Sequence, residues 1–350
     1  MCLCYNVEVY LDVLEAVRQN CLLARPTAQM LMLPSAKLVV RPTTVVEAPR
    51  LEKLLGTNIV FVSEAFQYTG SFKFRAAGNV ATTVPHKMLI TASSGNFGQA
   101  LAFACSLVDK SCIVVMPNTS AQIKIEAVRK FGGQVEFVDV RTKSRQERVA
   151  ELALKYPAAY IASAYDDPLV IAGNASLGRE IAALDYPFDG IVVPIGGGGL
   201  ASGLVQGVTE SRDGIEIIGA EPMLGNDAAR SLAAGEIMRN ATEPQTIADG
   251  ARTISLGQHN WAILRRGLSD IIEVSEDKII EAVRLLFLLA NVKAEPTGAL
   301  ALGAVLSMRE RFRDRCLCCI VSGGNVDPNV FANIINRSST DPVASSIRSS

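Results

Sequence analysis

The chain has 350 residues, 49% hydrophobic and 20% charged, with a formal net charge of −1. That is apolar material for one large or two medium domains; the near-neutral, scattered charge argues against nucleic acid or an anionic membrane as partner, and no run of about 18 apolar residues reads as a membrane span. Only two histidines occur, His86 and His259, which argues against a histidine-rich metal site or a histidine triad and leaves acid–base work to lysine, serine, tyrosine, carboxylates or a cofactor.

In chain order, residues 1–20 carry Glu8, Asp12 and Glu15 and lack a basic stretch before an apolar one. They read as a helix on the body or at a subunit contact, not as a signal peptide. The eight cysteines (2, 4, 21, 105, 112, 316, 318 and 319) are then expected as thiols of a cytoplasmic protein. A strand-like run at 58–62 precedes the turn Thr69-Gly-Ser-Phe-Lys-Phe-Arg75. A lysine in such a turn serves Schiff-base chemistry, holds a phosphate, or is a surface lysine at a helix start.

From residue 88 short apolar runs alternate with amphipathic segments. Strands are expected at 88–91, 112–116, 135–138, 191–194, 215–218, 271–274 and 317–321, with helices at 96–108, 121–131, 144–155 and from Leu200. The 121–131 helix should stop at Gly132 and Gly133, and 282–292 reads as a buried helix carrying Arg284. This alternation predicts an α/β fold, a parallel sheet covered on both faces. Cys316-Leu-Cys318-Cys319 has the wrong spacing for a paired zinc site and continues into Ile320-Val321, so it reads as a buried strand. The Ser-rich stretch 337–350 reads as a disordered tail.

Three strand-end loops carry chemistry. Thr91-Ala-Ser-Ser-Gly-Asn-Phe-Gly-Gln99 gathers hydroxyls, an asparagine and free amides at a helix start, suited to a carboxylate. Pro194-Ile-Gly-Gly-Gly-Gly-Leu200 exposes consecutive amides with no side chains in the way, a phosphate cradle. It lacks the lysine and hydroxyl of a nucleotide loop and the spacing of a dinucleotide fingerprint, which points to a single phosphate monoester. Val321-Ser-Gly-Gly-Asn-Val326 presents a hydroxyl at a strand's carboxyl end. One ligand meets all of these demands: pyridoxal 5′-phosphate has an aldehyde for Lys73 and a phosphate for Gly196 to Gly199, and its amino-acid substrate has a carboxylate for the Ser93–Asn96 loop.

With these motifs the chain resembles the tryptophan-synthase-β-like (fold type II) pyridoxal-phosphate enzymes, and within them the serine racemase and serine/threonine dehydratase branch. The similarity spans about residues 41–327. It includes Glu64 with the Lys73 turn, Pro117-Asn-Thr119, Ile171-Ala-Gly173, Glu221-Pro222, Thr246-Ile-Ala-Asp-Gly250, Glu295-Pro-Thr297 and Ser322-Gly-Gly-Asn-Val-Asp327. The resemblance implies two open, mostly parallel twisted sheets covered by helices, with the active site between a large and a small domain. The large cofactor domain would be 1–84 and 166–336, and the small domain 85–165. Lys73 would carry the cofactor and remove the α-proton on one face, with Ser94 as acid/base on the other. Asn96 would bond the ring hydroxyl, Gly196, Gly197, Gly198, Gly199 and Leu200 the phosphate, and Ser322 the pyridine nitrogen, with Glu295 in the cofactor's shell. Ser93, Ser94, Gly95, Asn96, Phe97 and Arg145 would face substrate. Glu221, the Gly225 carbonyl and Asp227 would hold a divalent cation, Mg2+ or Ca2+, against the alternative of a plain surface turn. A homodimer is implied as well.

The reaction this implies is β-elimination of water from an L-serine- or L-threonine-like substrate to a 2-oxo acid and ammonia, with or without racemase activity. A neutral serine at the pyridine nitrogen suits elimination over transamination. The alternatives are β-replacement, as in a cysteine or diaminopropionate synthase, and a silent binding protein. Phe97 stands where a histidine is usual, Tyr68 where a lysine is usual and Asn174 where a glutamine is frequent. No regulatory domain follows Asp327, so feedback by isoleucine is not expected.

Overall fold

The computed structural model describes residues 39–93, 95–120 and 122–337. The expectations for residues 1–20, for Ser94, for Cys2, Cys4 and Cys21 and for 338–350 lie outside the described residues. Among the described residues ten strands form two sheets. The larger runs β1 (Thr44–Glu47), β2 (Asn58–Ser63), β10 (Cys316–Val321), β7 (Gly190–Pro194), β8 (Glu216–Pro222) and β9 (Asp270–Val274) in that spatial order. Only β1 is antiparallel, pairing with β2 from Thr44↔Ser63. The smaller sheet is parallel throughout, in the order β5 (Gln134–Val138), β4 (Ser111–Pro117), β3 (Met88–Ala92), β6 (Tyr160–Ile161). Parallel strands need helical crossovers, and these cover the sheets.

β10 illustrates how composition becomes packing. Successive side chains alternate faces. Leu317, Cys319 and Val321 join Ile59, Phe61, Val192 and Ile218 under the Glu276–Ala290 and Leu300–Ser307 helices. Cys318 and Ile320 point the other way, with Val60, Val62, Ile191 and Val193 under the Gly199–Thr209 helix. Cys318 and Cys319 are fully buried free thiols whose pKa burial pushes up, so they act as small apolar fillers, as the strand reading expected.

Apart from the stretch at 282–292, the expected elements end within four residues of those observed. The helix expected at 144–155 is Arg145–Lys155, with Ser144 as its cap in a reciprocal box with Glu147. The stretch expected as a buried helix at 282–292 is amphipathic: the helix is Glu276–Ala290, and Phe287 and Leu288 are 40% and 44% exposed on its outer face. The antiparallel β1 and the two-residue β6 had no sequence signal, because neither is long enough to show a period.

Register brings the functional loops to one edge. Val321 pairs with Ser63, and Pro194 with Ala220, so β2, β10, β7 and β8 all point their carboxyl ends the same way. Lys73 starts the Lys73–Thr83 helix after β2; the tetraglycine follows β7, and Ser322 follows β10. The Lys73–Thr83 helix packs Phe74, Ala77 and Val80 into the core of the smaller sheet, with Phe97 and Leu101. Arg75, two residues past Lys73, is fully buried. It donates to Glu64 at 2.7 and 2.9 Å and to Glu180 at 2.7 and 3.0 Å, tying the helix to the end of β2 and to the Pro168–Ala182 helix.

Candidate active site

The turn before Lys73 is made by close backbone approach. Gly70 has φ +73°, and the Asn325 amide oxygen lies 2.2 Å from where a Cβ would stand, so only glycine fits. Ser71 bridges Gly323, and the Phe72 N–H donates to the Ser322 carbonyl at 3.0 Å. Lys73 is thereby held against the Ser322 loop. Its Nζ donates to the Ala164 carbonyl at 2.7 Å and lies 4.9 and 5.7 Å from the Phe72 and Phe97 ring centres. Burial lowers its pKa to about 8, with the charge of Glu295 opposing. Among the described residues no carboxylate pairs with it at ion-pair distance, so a useful fraction is neutral amine near physiological pH.

Opposite Lys73, the Asn96–Leu107 helix begins after β3. The buried Ser93 hydroxyl accepts the Gly98 N–H at 3.1 Å, so part of the loop's polarity serves as a helix cap. Asn96 and Phe97 open the helix, where N–H groups have no intrahelical acceptor and stay available for an anion. The Asn96 side chain donates to Glu295 at 2.8 Å and accepts from Asn325 at 2.8 Å and Gln99 at 3.2 Å. Glu295 is buried, and burial with the negative charge of Asp249 raises its pKa to about 8. It is then largely protonated at pH 7. Phe97 is 1% exposed, its ring packed with Phe74, Leu101 and Val114 in the smaller sheet's core.

Gly198, φ +95°, is the cap of the Gly199–Thr209 helix. A Cβ there would stand 2.9 Å from both Asn260 and Leu264. Asn260 donates to the Gly197 carbonyl at 2.7 Å and Asn174 to the Gly199 carbonyl at 3.0 Å. Turning the carbonyls toward these amides leaves the loop's N–H groups for the helix-start direction, which carries positive potential. Gly196 is half-buried, and Leu200 is buried in the first helical turn. Ser322 is 2% exposed, just past β10 and one strand from the tetraglycine.

Glu221 and Asp227 lie at and beyond the end of β8, 1% and 0% exposed. Glu221 accepts the Ala228 and Ala229 N–H groups at 2.9 Å each. Asp227 accepts from Asn240 at 2.8 Å, while its Oδ2 is buried with no partner. Burial raises both carboxyls, Asp227 to about 6. Gly225 is buried beside them. Among the described residues no three side chains of His, Cys, Asp or Glu form a metal cluster, so an ion here would rest on two carboxylates and carbonyl oxygens. Arg145 opens the Arg145–Lys155 helix, with its guanidinium 3.6 Å from Glu243.

Sequence reasoning missed the segment Ala164–Asp166, which meets both Lys73 and the tetraglycine. It also missed the Lys124–Asp249 pair at 2.6 Å near Glu295. The Ala164–Asp166 segment and Lys124 carry no motif, and Asp249, within the Thr246–Gly250 stretch, gives no sign of its partner; these contacts depend on where β6 ends and the Gln122–Lys130 helix begins.

The family model described as "Pyridoxal-phosphate dependent enzyme" matches residues 36–323. The L-threo-3-hydroxyaspartate ammonia-lyase of Pseudomonas sp is 34% identical over 84% of this chain and 92% of its own length. The serine racemase of Schizosaccharomyces pombe is 32% identical over 84% and 92%. Among solved structures, the T.th. threonine deaminase superposes with a TM-score of 0.79 at 38% identity, covering 82% of this chain and 94% of that one.

Proposed function

The chain belongs to the family of pyridoxal-phosphate-dependent enzymes, and from that premise we propose that it is an ammonia-lyase that eliminates water from a β-hydroxy amino acid to give a 2-oxo acid and ammonia. The observation that carries this reading is Lys73: a half-buried amine with pKa about 8 and no carboxylate partner among the described residues, held at the shared edge of the tetraglycine and Ser322 strands. The donor set fits the cofactor. The start of the Gly199–Thr209 helix suits a phosphate, Lys73 an aldehyde, and the neutral hydroxyl of Ser322 a ring nitrogen.

Pyridoxal phosphate, once bound, supplies an aldehyde and an electron-withdrawing ring that acidifies the α-hydrogen of an attached amino acid. Lys73 would hold the cofactor's aldehyde and serve as the base for that proton; its lowered pKa matches a base working near neutral pH. Asn96, held by Glu295 and Asn325, would bond the cofactor's ring hydroxyl, and the mostly protonated Glu295 limits the negative charge beside it. The amides at the start of the Asn96–Leu107 helix and the Ser93–Phe97 loop receive the substrate carboxylate. Ser94 is assigned the second face of the α-carbon, which adds racemisation to elimination, and Arg145 the outer side of the substrate. Glu221, Asp227 and the Gly225 carbonyl are assigned a divalent cation, supported by the orphaned Asp227 Oδ2. The two sheets are taken as the large and small domains, the assembly as a homodimer and the location as the cytoplasm. Among the described residues no helix is long and apolar enough to cross a membrane.

Release of 2-oxo acid from a panel of L- and D-β-hydroxy amino acids, including serine, threonine and 3-hydroxyaspartate, tests the reading. One of these is expected to turn over, and Lys73→Ala to lower the rate by about 10^2–10^4-fold. Faster formation of a new amino acid from O-activated serine and a thiol would overturn it in favour of β-replacement.

A further inference from the structure

One tripeptide outside every motif meets both Lys73 and the tetraglycine. After β6, the Ala164 carbonyl accepts Lys73 Nζ at 2.7 Å. The next residue, Tyr165, lies on the tetraglycine: a Cβ at Gly197 would stand 2.3 Å from the ring's Cδ2, and one at Gly199 would stand 2.9 Å from the Tyr165 carbonyl oxygen. That carbonyl accepts Asn260 Nδ2 at 3.1 Å, and the same Nδ2 donates to the Gly197 carbonyl at 2.7 Å. Asp166 follows, accepting the Gln258 and His259 N–H groups at 2.9 Å each at the start of the Gln258–Gly267 helix. The Gly257 N–H there donates to the Gly197 carbonyl at 3.2 Å.

Four consecutive glycines are conformationally permissive, and a cradle must hold its amides in one arrangement to bind a phosphate well. Asn260 and Gly257 fix one carbonyl, and Asn174 fixes another. The flat ring of Tyr165 covers the space that the missing side chain of Gly197 leaves, so the loop cannot move that way without losing the contact. The ring stems from the smaller sheet, while the glycines belong to the larger. The cradle's rigidity therefore depends on the same segment that orients Lys73.

We propose that Tyr165 is a positioning residue for the cofactor: its ring, packed on Gly197, stiffens the tetraglycine cradle and couples it through Ala164 to Lys73. The inference rests on the pyridoxal-phosphate reading above. It assigns the ring this work, and the hydroxyl none.

The test is retention of pyridoxal phosphate by the holoenzyme, measured as the cofactor dissociation constant by absorbance after dialysis, alongside a thermal melt of each protein. Tyr165→Ala is expected to weaken retention at least tenfold, and Tyr165→Phe to stay within twofold of wild type. If Tyr165→Ala does not fold, Tyr165→Leu, which fills the space without a flat face, is expected to show the loss. Wild-type affinity in the folded Ala or Leu variant overturns the proposal, as does a Phe variant as weak as Ala. Failure of the wild-type protein itself to take up the cofactor would instead sink the underlying functional reading.

Discussion

Lys73 concentrates the chemistry into one titration. An exposed lysine has a pKa near about 10.4 and is almost wholly ammonium in the cell. Desolvation lowers Lys73 to about 8, against the pull of Glu295. Only the neutral amine attacks an aldehyde, so uptake of pyridoxal phosphate by cofactor-free protein should quicken as pH rises and level off above about 8. A stopped-flow pH profile reads this directly; a rate still climbing steeply above about pH 9, nearer the range of an exposed lysine, would contradict it. The residue's identity and neighbours were readable from Thr69 to Arg75, but its pKa was not, because the residues around Nζ, Ala164 and Phe97, and the opposing charge of Glu295 come from distant parts of the chain. Phe97 stands where a histidine is usual beside the substrate; in the fold its ring is 1% exposed, packs in the smaller sheet's core and lies 5.7 Å from Lys73 Nζ.

Among the elements, the strand–glycine–helix unit around Gly198 has the least tolerance. Its φ of +95° is unfavourable for any residue with a Cβ, and that atom would press on Asn260 and Leu264 at 2.9 Å. Gly198→Ala should therefore cost about 1–3 kcal/mol from strained backbone and release the cofactor more readily, whereas substitution at the exposed Gly235, also a helix cap, should leave cofactor retention unchanged. Equilibrium dialysis followed by absorbance distinguishes them; equal retention by both variants would show the cradle to be adaptable. Four glycines after an apolar strand made the unit legible in advance. The supports of the cradle were not: Asn174, Asn260 and Tyr165 come from three separate segments and meet only through the sheet order.

For the molecule as a whole, the cost of buried charge matters most. Arg75 offsets Glu64 and Glu180 with bidentate pairs, but Glu221 and Asp227 are buried side by side, and burial holds both carboxyls above their usual range. Two buried carboxylates repel and lose hydration, which an oxygen-loving divalent ion offsets. Chelation should lower the melting temperature and added Ca2+ or Mg2+ restore it; a binder at about 100 times its dissociation constant contributes about 2.7 kcal/mol. A melting temperature indifferent to both treatments would leave Glu221 with only its role as cap of the Asp227–Ala234 helix.

The sequence by itself determined the α/β alternation, the burial of the Cys316–Val321 strand and the three loops that together point to pyridoxal phosphate. These are local properties: periodicity, glycine freedom and helix-start polarity are carried by neighbours along the chain. Only the tertiary structure decided what sits on those loops. The ring of Tyr165 over Gly197, the Ala164 carbonyl on Lys73 and the paired burial of Glu221 and Asp227 arise where separate crossovers end. Such contacts are set by strand order and register, and no spacing in the sequence records them.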